Sequence, residues 1–140
     1  MRLQLITLLG VKFDEDIYEM NISTADGEIG VFPGHEPLVT LAVPGVISVR
    51  HKKTDADDSM ELFAISGGVV EISQTEIKVL VDEAESGSDI IESESKAALE
   101  LAISMRDGAK DQVELEKAYQ LIDRHQVRLK VAGLRRRNRP

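Results

Sequence analysis

The hydrophobic pattern of this chain changes its period near residue 85, and that change constrains the fold more than any other feature. Before it, apolar residues stand in short runs or alternate with polar ones, as in IYEMNIS at residues 17–23. Strand-length runs at near-regular spacing are typical of an antiparallel β-sandwich or barrel. The first run, Leu3 to Val11, is predicted to be a strand rather than a signal peptide. Turn-forming residues separate the runs, namely Ala25-Asp26-Gly27, Pro33-Gly34, Pro44-Gly45, Thr54–Ser59 and Gly67-Gly68.

Beyond a linker at residues 85–89, the sequence predicts two helices. Gly108 ends the first helix, and Asp111 is placed to cap the second. The first helix is predicted over residues 90–106, with one apolar side made of Ile91, Ala98, Leu101 and Met105.

The second helix carries apolar residues at alternating spacings of three and four, which predicts a single stripe packed against the first helix. The stripe is made of Leu115, Ala118, Ile122, His125, Leu129 and Ala132. Alanines and a histidine make this seam thin, so we expect a helical hairpin that can come apart.

The charge distribution divides the chain unevenly. Residues 1–123 hold all 25 acidic residues and carry a net charge of −15, whereas residues 124–140 carry +7. A basic end on an acidic body suggests an acidic protein surface or nucleic acid as partner, or a solvated helix end. The absence of cysteine excludes disulfides and thiolate metal sites, and the scarcity of aromatics disfavours binding of single-stranded nucleic acid. No run approaches the ~20 apolar residues of a membrane helix.

No catalytic or metal-binding motif joins the three histidines. His35 stands in PGHEP, where it serves either turn geometry or a rigid binding loop. A metal-dependent sandwich enzyme using His35, Glu36 and His51 is a remote alternative. Gly67-Gly68 lacks the Lys and Ser/Thr of a phosphate-binding loop.

Three stretches together resemble the epsilon subunit of the rotary F-type ATP synthase, of the bacterial type. They are GEIGVFPGHEPLVTLAVPGVISV at 27–49, FAISGGVVEI at 63–72 and RLKVAGLRRR at 128–137. The resemblance implies a ten-stranded β-sandwich over residues 1–85 and a regulatory helical hairpin over 89–137. It further implies a non-catalytic rotor subunit on the cytoplasmic face of the bacterial plasma membrane. Its expected partners are the gamma subunit, the c-ring and the catalytic beta subunits, with neither cofactor nor nucleic acid.

The resemblance also assigns roles to individual residues. Glu28 and His35 occupy loops that in the family face the c-ring and gamma. The family's C-terminal helices can extend toward an acidic loop of the catalytic subunits, and Arg135, Arg136 and Arg137 suit that loop.

Some relatives bind ATP through Ile-Asp-x-x-Arg-Ala on the first helix and two arginines on the second. Arg124 and Arg128 match those arginines, but Ile91 replaces the acid and Glu94 replaces the cation. Weak or absent ATP binding is therefore expected. The alternative function is that of a nucleotide-sensing ligand-binding protein, whose isolated chain a nucleotide would stabilise.

Overall fold

The alternating segments form ten strands, and the helical segments form two helices, in a computed structural model that describes residues 1–138. The strands are β1 (Arg2–Thr7), β2 (Gly10–Asp16), β3 (Glu19–Thr24), β4 (Gly27–Val31), β5 (Leu38–Ala42), β6 (Gly45–Arg50), β7 (Glu61–Ile65), β8 (Gly68–Ile72), β9 (Glu76–Val81) and β10 (Ala84–Ser86). The helices are α1 (Glu92–Asp107) and α2 (Gln112–Asn138), and short 3₁₀ turns span Asp57–Ser59 and Gly87–Asp89.

The strands form a sheet in the order β10-β7-β6-β3-β5-β8-β9-β1-β2, with β4 paired to β3. Strands β3 and β5 share only the pair Thr24 and Ala42, and there the sheet turns to become the two layers of a sandwich. We call β5-β8-β9-β1-β2 the open layer and β10-β7-β6-β3 the helix-side layer. Phe13 of β2 packs edge-on against Phe63 of β7, with ring centroids 5.4 Å apart, and so joins the two layers.

Alternation along the strands places one apolar set between the layers. Its largest fully buried side chains are Leu3, Leu5, Met20, Ile22, Val31, Ile47, Val49, Val70, Ile77 and Val79. The predicted sandwich is confirmed. One pairing departs from the antiparallel prediction, because β1 runs parallel to β9 while the other strand pairs are antiparallel.

The N-terminal apolar run proves to be two strands rather than one. Leu8 and Leu9 form the turn between β1 and β2, and Gly10 opens β2 with φ of 120°. Glycine suits this conformation because side chains with a Cβ rarely adopt it. The sequence prediction of a single strand was wrong because two leucines stand where a polar turn is usual.

The segment predicted as a linker is part of the folded structure. Glu85 and Ser86 belong to β10, which pairs with β7, and Gly87 is buried in the 3₁₀ turn that follows. The Ser86 side chain accepts a hydrogen bond from the Ser88 amide and caps that turn.

The hairpin confirms two predictions and corrects a third. Asp111 caps α2, since its Oδ1 accepts a hydrogen bond from the Glu114 amide at 2.8 Å. The predicted α2 seam is confirmed by the burial of Ala118, Ile122 and His125.

The apolar side predicted for α1 was wrong except for Ala98, which is half-buried. Ser95 and Ala102 are its buried residues, whereas Leu101 is 64% exposed and Ile91 and Met105 are exposed too. Small side chains face α2 because they let two helix backbones approach closely, whereas Leu101 and Met105 are turned outward.

Candidate functional site

The outer face of the open layer carries a row of apolar side chains that crosses five strands. In register, Leu41 of β5 lies opposite Val69, Val69 opposite Leu80, Leu80 beside Ile6, and Ile6 opposite Val11. Leu41 is 60% exposed and Val11 is 59% exposed. We call these five residues the apolar row.

A β-bulge brings Val11 into the apolar row. Leu5 pairs with Phe13, but the register then shifts so that Ile6 pairs with Val11. Because neighbouring residues of a strand face opposite sides, Phe13 points into the core and Val11 would follow it without the shift. The bulge instead places Val11 on the outer face.

The β1–β2 turn extends this apolar surface. Leu8 is 83% exposed and Leu9 is 90% exposed, next to the strand positions of Ile6 and Val11. A contiguous exposed apolar surface is uncommon on a monomer and indicates a place where a partner binds.

The outer face of the helix-side layer is apolar too, but α2 covers it. Leu62 and Ala64 of β7 are buried there, whereas Phe63 and Ile65 of the same strand face the core. This double burial explains why ELFAI reads as a continuous apolar run rather than an alternating one. Val46 of β6 and four residues that follow the strands complete the cluster, namely Ile90, Val127, Val131 and Leu134.

Gly87, in the 3₁₀ turn after β10, is a point of close contact with α2. A Cβ at this position would lie 2.8 Å from Arg135 Cδ, 3.0 Å from Val131 Cγ1 and 3.1 Å from the Leu62 carbonyl oxygen. Arg135 also donates a hydrogen bond from Nη1 to the Gly87 carbonyl at 2.8 Å. The glycine therefore leaves the space that lets the helix lie against β7.

Two arginines of α2 contact carboxylates of the sandwich. Arg124 Nη2 donates to Glu83 Oε1 at 2.6 Å. Arg128 Nε forms an ion pair with Glu85 Oε2 at 2.6 Å. Both arginines of the nucleotide motif thus contact acids of this chain.

The basic end of α2 also folds back on its own chain. Besides the contact of Arg135 with Gly87, Arg136 Nη1 donates to Glu92 Oε1 at 2.8 Å, at the start of α1. Arg137 is exposed, and Arg139 lies outside the described residues.

His125 is buried in the hairpin seam, where its Nδ1 has no hydrogen-bond partner. Burial lowers the pKa of His125, Arg128 and Arg124 lower it further, and Glu85 opposes them. The ring borders a cavity of about 230 Å³ that is also lined by Glu85, Asp89, Glu94, Ser95 and Arg128. Carboxylates from three elements thus face this cavity.

Glu28 is exposed and His35 is half-buried. The resemblance placed both residues in loops, but Glu28 lies on β4, where it pairs with Ser23 of β3. Glu28 follows the turn between β3 and β4, whereas His35 lies in the loop after β4. That loop is held by its backbone, since the Gly34 amide donates to the Gln74 carbonyl at 3.1 Å and the His35 amide to Phe32. His35 Nδ1 lies 2.7 Å from the Glu36 carbonyl oxygen.

The metal-ligand set considered from sequence, which joined His35 and Glu36 to His51, is not found among residues 1–138. Within that range His51 groups instead with Glu15 and Glu61. Nor does any helix there combine the length and apolar character needed to cross a membrane.

Comparison with known proteins agrees with this geometry. The sequence pattern of the ATP synthase delta/epsilon chain β-sandwich domain matches residues 1–87. The chain belongs to this family. An ATP synthase epsilon chain from chloroplasts of Nicotiana tomentosiformis is 32% identical over 123 residues, which cover 86% of this chain and 89% of that one. The corresponding chain of Nymphaea alba is 33% identical and covers 84% and 87%. The resemblance to epsilon is confirmed, and the chain is an accessory subunit of ATP synthase rather than an enzyme.

Two solved structures share the fold. A chain of the mitochondrial ATP synthase of Euglena gracilis, from a structure of OSCP, F1 and c-ring, superposes with a TM-score of 0.77 at 22% identity. The match covers 94% of this chain and 79% of that one. A chain from the central stalk and c-ring of the Tetrahymena thermophila mitochondrial enzyme gives 0.59 at 13% identity, covering 92% and 96%.

Sequence reasoning missed both outer faces of the sandwich. The signal for the covered face was present in α2, where Val127, Val131 and Leu134 recur at spacings of four and three. The apolar row had no such signal, because its members come from five separate strands and meet only through the register.

Proposed function

We propose that this chain is a rotor subunit in the central stalk of a proton-translocating F-type ATP synthase, and that gamma binds across the apolar row. The exposed row is the observation that carries this proposal. An apolar surface crossing five strands, with Leu8 and Leu9 beside it, suits a lasting contact with another subunit. Family membership supports gamma as that subunit.

The test is binding of gamma by variants of the full-length chain. Leu41→Asp and Leu80→Asp each place a carboxylate in the row, so we expect loss of co-purification with gamma. Both side chains are substantially exposed, and the isolated variants should therefore keep the wild-type melting temperature. Lys78→Ala, an exposed position on the same layer, is the matched control. If the Asp variants bind gamma normally, the row is not the interface.

Two positions form the second part of the proposal, namely Glu28 at the start of β4 and His35 in the loop that follows β4. They contact the c-ring and gamma, and the backbone hydrogen bonds of the His35 loop reduce the entropy that docking costs. Glu28→Lys and His35→Trp should weaken the coupling of proton flow to ATP turnover in the assembled enzyme. Unchanged proton pumping in both variants would contradict this role.

The hairpin restrains ATP hydrolysis when it leaves the sandwich and extends toward the catalytic subunits. This movement breaks the hydrogen bonds of Arg135 with the Gly87 carbonyl and of Arg136 with Glu92. These two arginines and Arg137 then contact an acidic loop of the catalytic subunits. Deleting all residues after Gly108 should raise hydrolysis, and neutralising the three arginines should raise it less. Exposed ion pairs contribute only ~0–1 kcal/mol each, so the arginine effect should shrink with added salt. An unchanged rate in the deletion variant would contradict the inhibitory role.

ATP is not a ligand of the isolated chain. Glu85, Asp89 and Glu94 line the cavity beside His125, and Arg124 and Arg128 contact carboxylates of the sandwich. A polyphosphate would meet negative charge there. Calorimetric titration should detect no binding of ATP at micromolar concentrations, and micromolar affinity would instead support a nucleotide sensor.

The enzyme containing this chain lies at the cytoplasmic face of a bacterial plasma membrane, and the chain reaches that membrane only through its partner subunits. The sequence resembles the bacterial type of epsilon subunit, and this resemblance supports the location. Cell fractionation should recover the chain with washed inner membranes. Release should follow removal of the F1 sector, and recovery mainly in the soluble fraction would contradict the location.

A further inference from the structure

A histidine and two glutamates meet at one rim of the sandwich, away from both outer faces. His51 directly follows β6, Glu61 begins β7, and Glu15 lies near the end of β2. His51 Nε2 is 2.8 Å from Glu61 Oε2. One ligand atom from each of the three residues lies within 4.8 Å of the other two.

Strand pairing explains why these side chains converge. Glu61 lies opposite Val49 in the β6–β7 pair, two residues before His51. Glu15 lies opposite Leu3, and directly opposed residues of antiparallel strands project to the same side. Because Leu3 is fully buried, Glu15 also points toward the helix-side layer rather than away from it.

An aromatic contact holds the histidine beside the other layer. The His51 ring packs on Phe13 of β2 with centroids 5.8 Å apart. Phe13 is itself fixed against Phe63. The imidazole therefore sits at the junction of the two layers, and Glu15 is two residues beyond Phe13 on the same strand.

We propose that Glu15, His51 and Glu61 bind one divalent transition-metal ion of the zinc class. Zinc accepts imidazole nitrogen and carboxylate oxygen at about 2.0–2.2 Å, which places its ligand atoms about 3.3–3.6 Å from one another. Small side-chain rotations bring the present spacing into that range. Magnesium and calcium prefer sets made wholly of oxygen, so the histidine selects against them.

Such an ion ties the two layers together at the rim, because Glu15 comes from the open layer and the other two ligands from the helix-side layer. The free energy of unfolding then rises with the ratio of the free metal concentration to the Kd of the site. This site is independent of gamma binding and of the hairpin.

The test is titration of the full-length chain with zinc chloride, read by calorimetry and by melting temperature. We expect one ion per chain and a rise of the melting temperature by several degrees. Magnesium chloride at the same concentration should give neither a binding signal nor a rise of the melting temperature. His51→Gln and Glu15→Gln should each weaken zinc binding at least tenfold, while His35→Gln, which removes a histidine outside the cluster, should not.

Glu15 is exposed, so its variant keeps the proposal testable if His51→Gln alters the fold. Wild-type affinity in Glu15→Gln would overturn the proposal. So would several equivalent zinc sites per chain that all three variants retain, since that pattern describes general binding to an acidic surface.

Discussion

The two outer faces of the sandwich are both apolar, but the chain covers only one of them. On the helix-side layer, Leu62 and Ala64 are buried under Val131 and its neighbours on α2. On the open layer, Leu41 and Val11 remain exposed. The cover of the helix-side layer is part of the chain itself, whereas residues 1–138 leave the apolar row of the open layer uncovered.

The two faces differ in how salt should act on the contacts that cover them. The contact of α2 combines a small apolar cluster with arginine contacts that water and salt can weaken. The five members of the apolar row carry no charge, although Glu71 and Lys78 lie beside Val69 and Leu80 on the same face. We therefore expect the covered face to open under conditions that leave the gamma contact intact.

The largest effect should come from removing the cover. A chain ending at Asp89 keeps β10 and the 3₁₀ turn but exposes Val46, Leu62 and Ala64. Exposing a large apolar side chain costs about 1.5–3 kcal/mol, so this sandwich should stay folded yet self-associate more than the full-length chain. Analytical ultracentrifugation measures the difference.

Adding Leu62→Ser to the shortened chain is its control and should restore the original behaviour. An unfolded shortened chain would contradict the prediction, made from sequence, that residues 1–85 form a domain of their own. Self-association equal to that of the full-length chain would contradict the role of α2 as a cover.

A smaller and more local effect should follow from Gly87→Ala. The added Cβ meets Val131 and Arg135, and overpacking of this kind costs about 1–3 kcal/mol. We expect amide exchange across residues 127–134 to quicken roughly tenfold or more, while exchange in β1 and β9 stays unchanged. Gly133→Ala, where nothing lies within 4 Å of the new Cβ, should instead slow exchange in α2. Faster exchange in both layers would show that Gly87 supports the sandwich rather than the docking of α2.

The pH dependence of the hairpin should come from His125. Its pKa is lowered in the folded chain from an ordinary 6.5, so the unfolded or released state binds the proton more readily. The stability that the folded hairpin gains from keeping His125 neutral is fully present above pH 6.5, and it is lost as the pH falls through the lowered pKa. Protection of α2 amides should therefore drop between pH 7 and 5.

His125→Gln should make that protection less dependent on pH, because it removes the titrating group. The other charged groups near His125 are present in both the variant and the wild type, so any pH dependence that they cause is the same in both. They are Glu85, Asp89, Glu94, Arg124 and Arg128. A pH profile identical in the variant and the wild type would assign the effect to those groups instead.

The smallest effect should come from the ion pair of Arg124 with Glu83. The pair is partly exposed, so Arg124→Gln should cost only ~0–1 kcal/mol. The loss should be measurable by amide exchange in α2 at low ionic strength and should vanish at high salt. Lys130→Gln, an exposed position on the same helix, is the control. A loss that persists at high salt would point to packing of the arginine stem rather than to its charge.

The sequence predicted the sandwich and the cap of α2 because both depend on local signals. Alternation specified the inward residues of β3 and β9, and Asp111 stood where a cap is expected. The Leu8–Leu9 turn could not be predicted in this way. Its residues resemble a strand interior, and only Gly10 marked the reversal.

The candidate surfaces were harder to predict because they depend on distances between elements. Leu101 and Met105 looked like the inner side of α1, but helix separation favoured Ser95 and Ala102. The convergence of Glu15 with His51 depends on how β2 lies across the sandwich, which no spacing along the chain reveals.

The parallel pairing of β1 with β9 sets the order in which the protein can be completed. During synthesis β1 and β2 emerge first, but β1 must wait for residues 76–81 before it gains its second neighbour. Such distant pairings form late because a long loop must close before they contribute. Leu80 therefore joins Ile6 only after β9 has been made, and the apolar row becomes continuous in this step. If gamma binds the apolar row as proposed, a chain that stops before β9 offers gamma no continuous surface, and binding of gamma reports that β1 and β9 have paired.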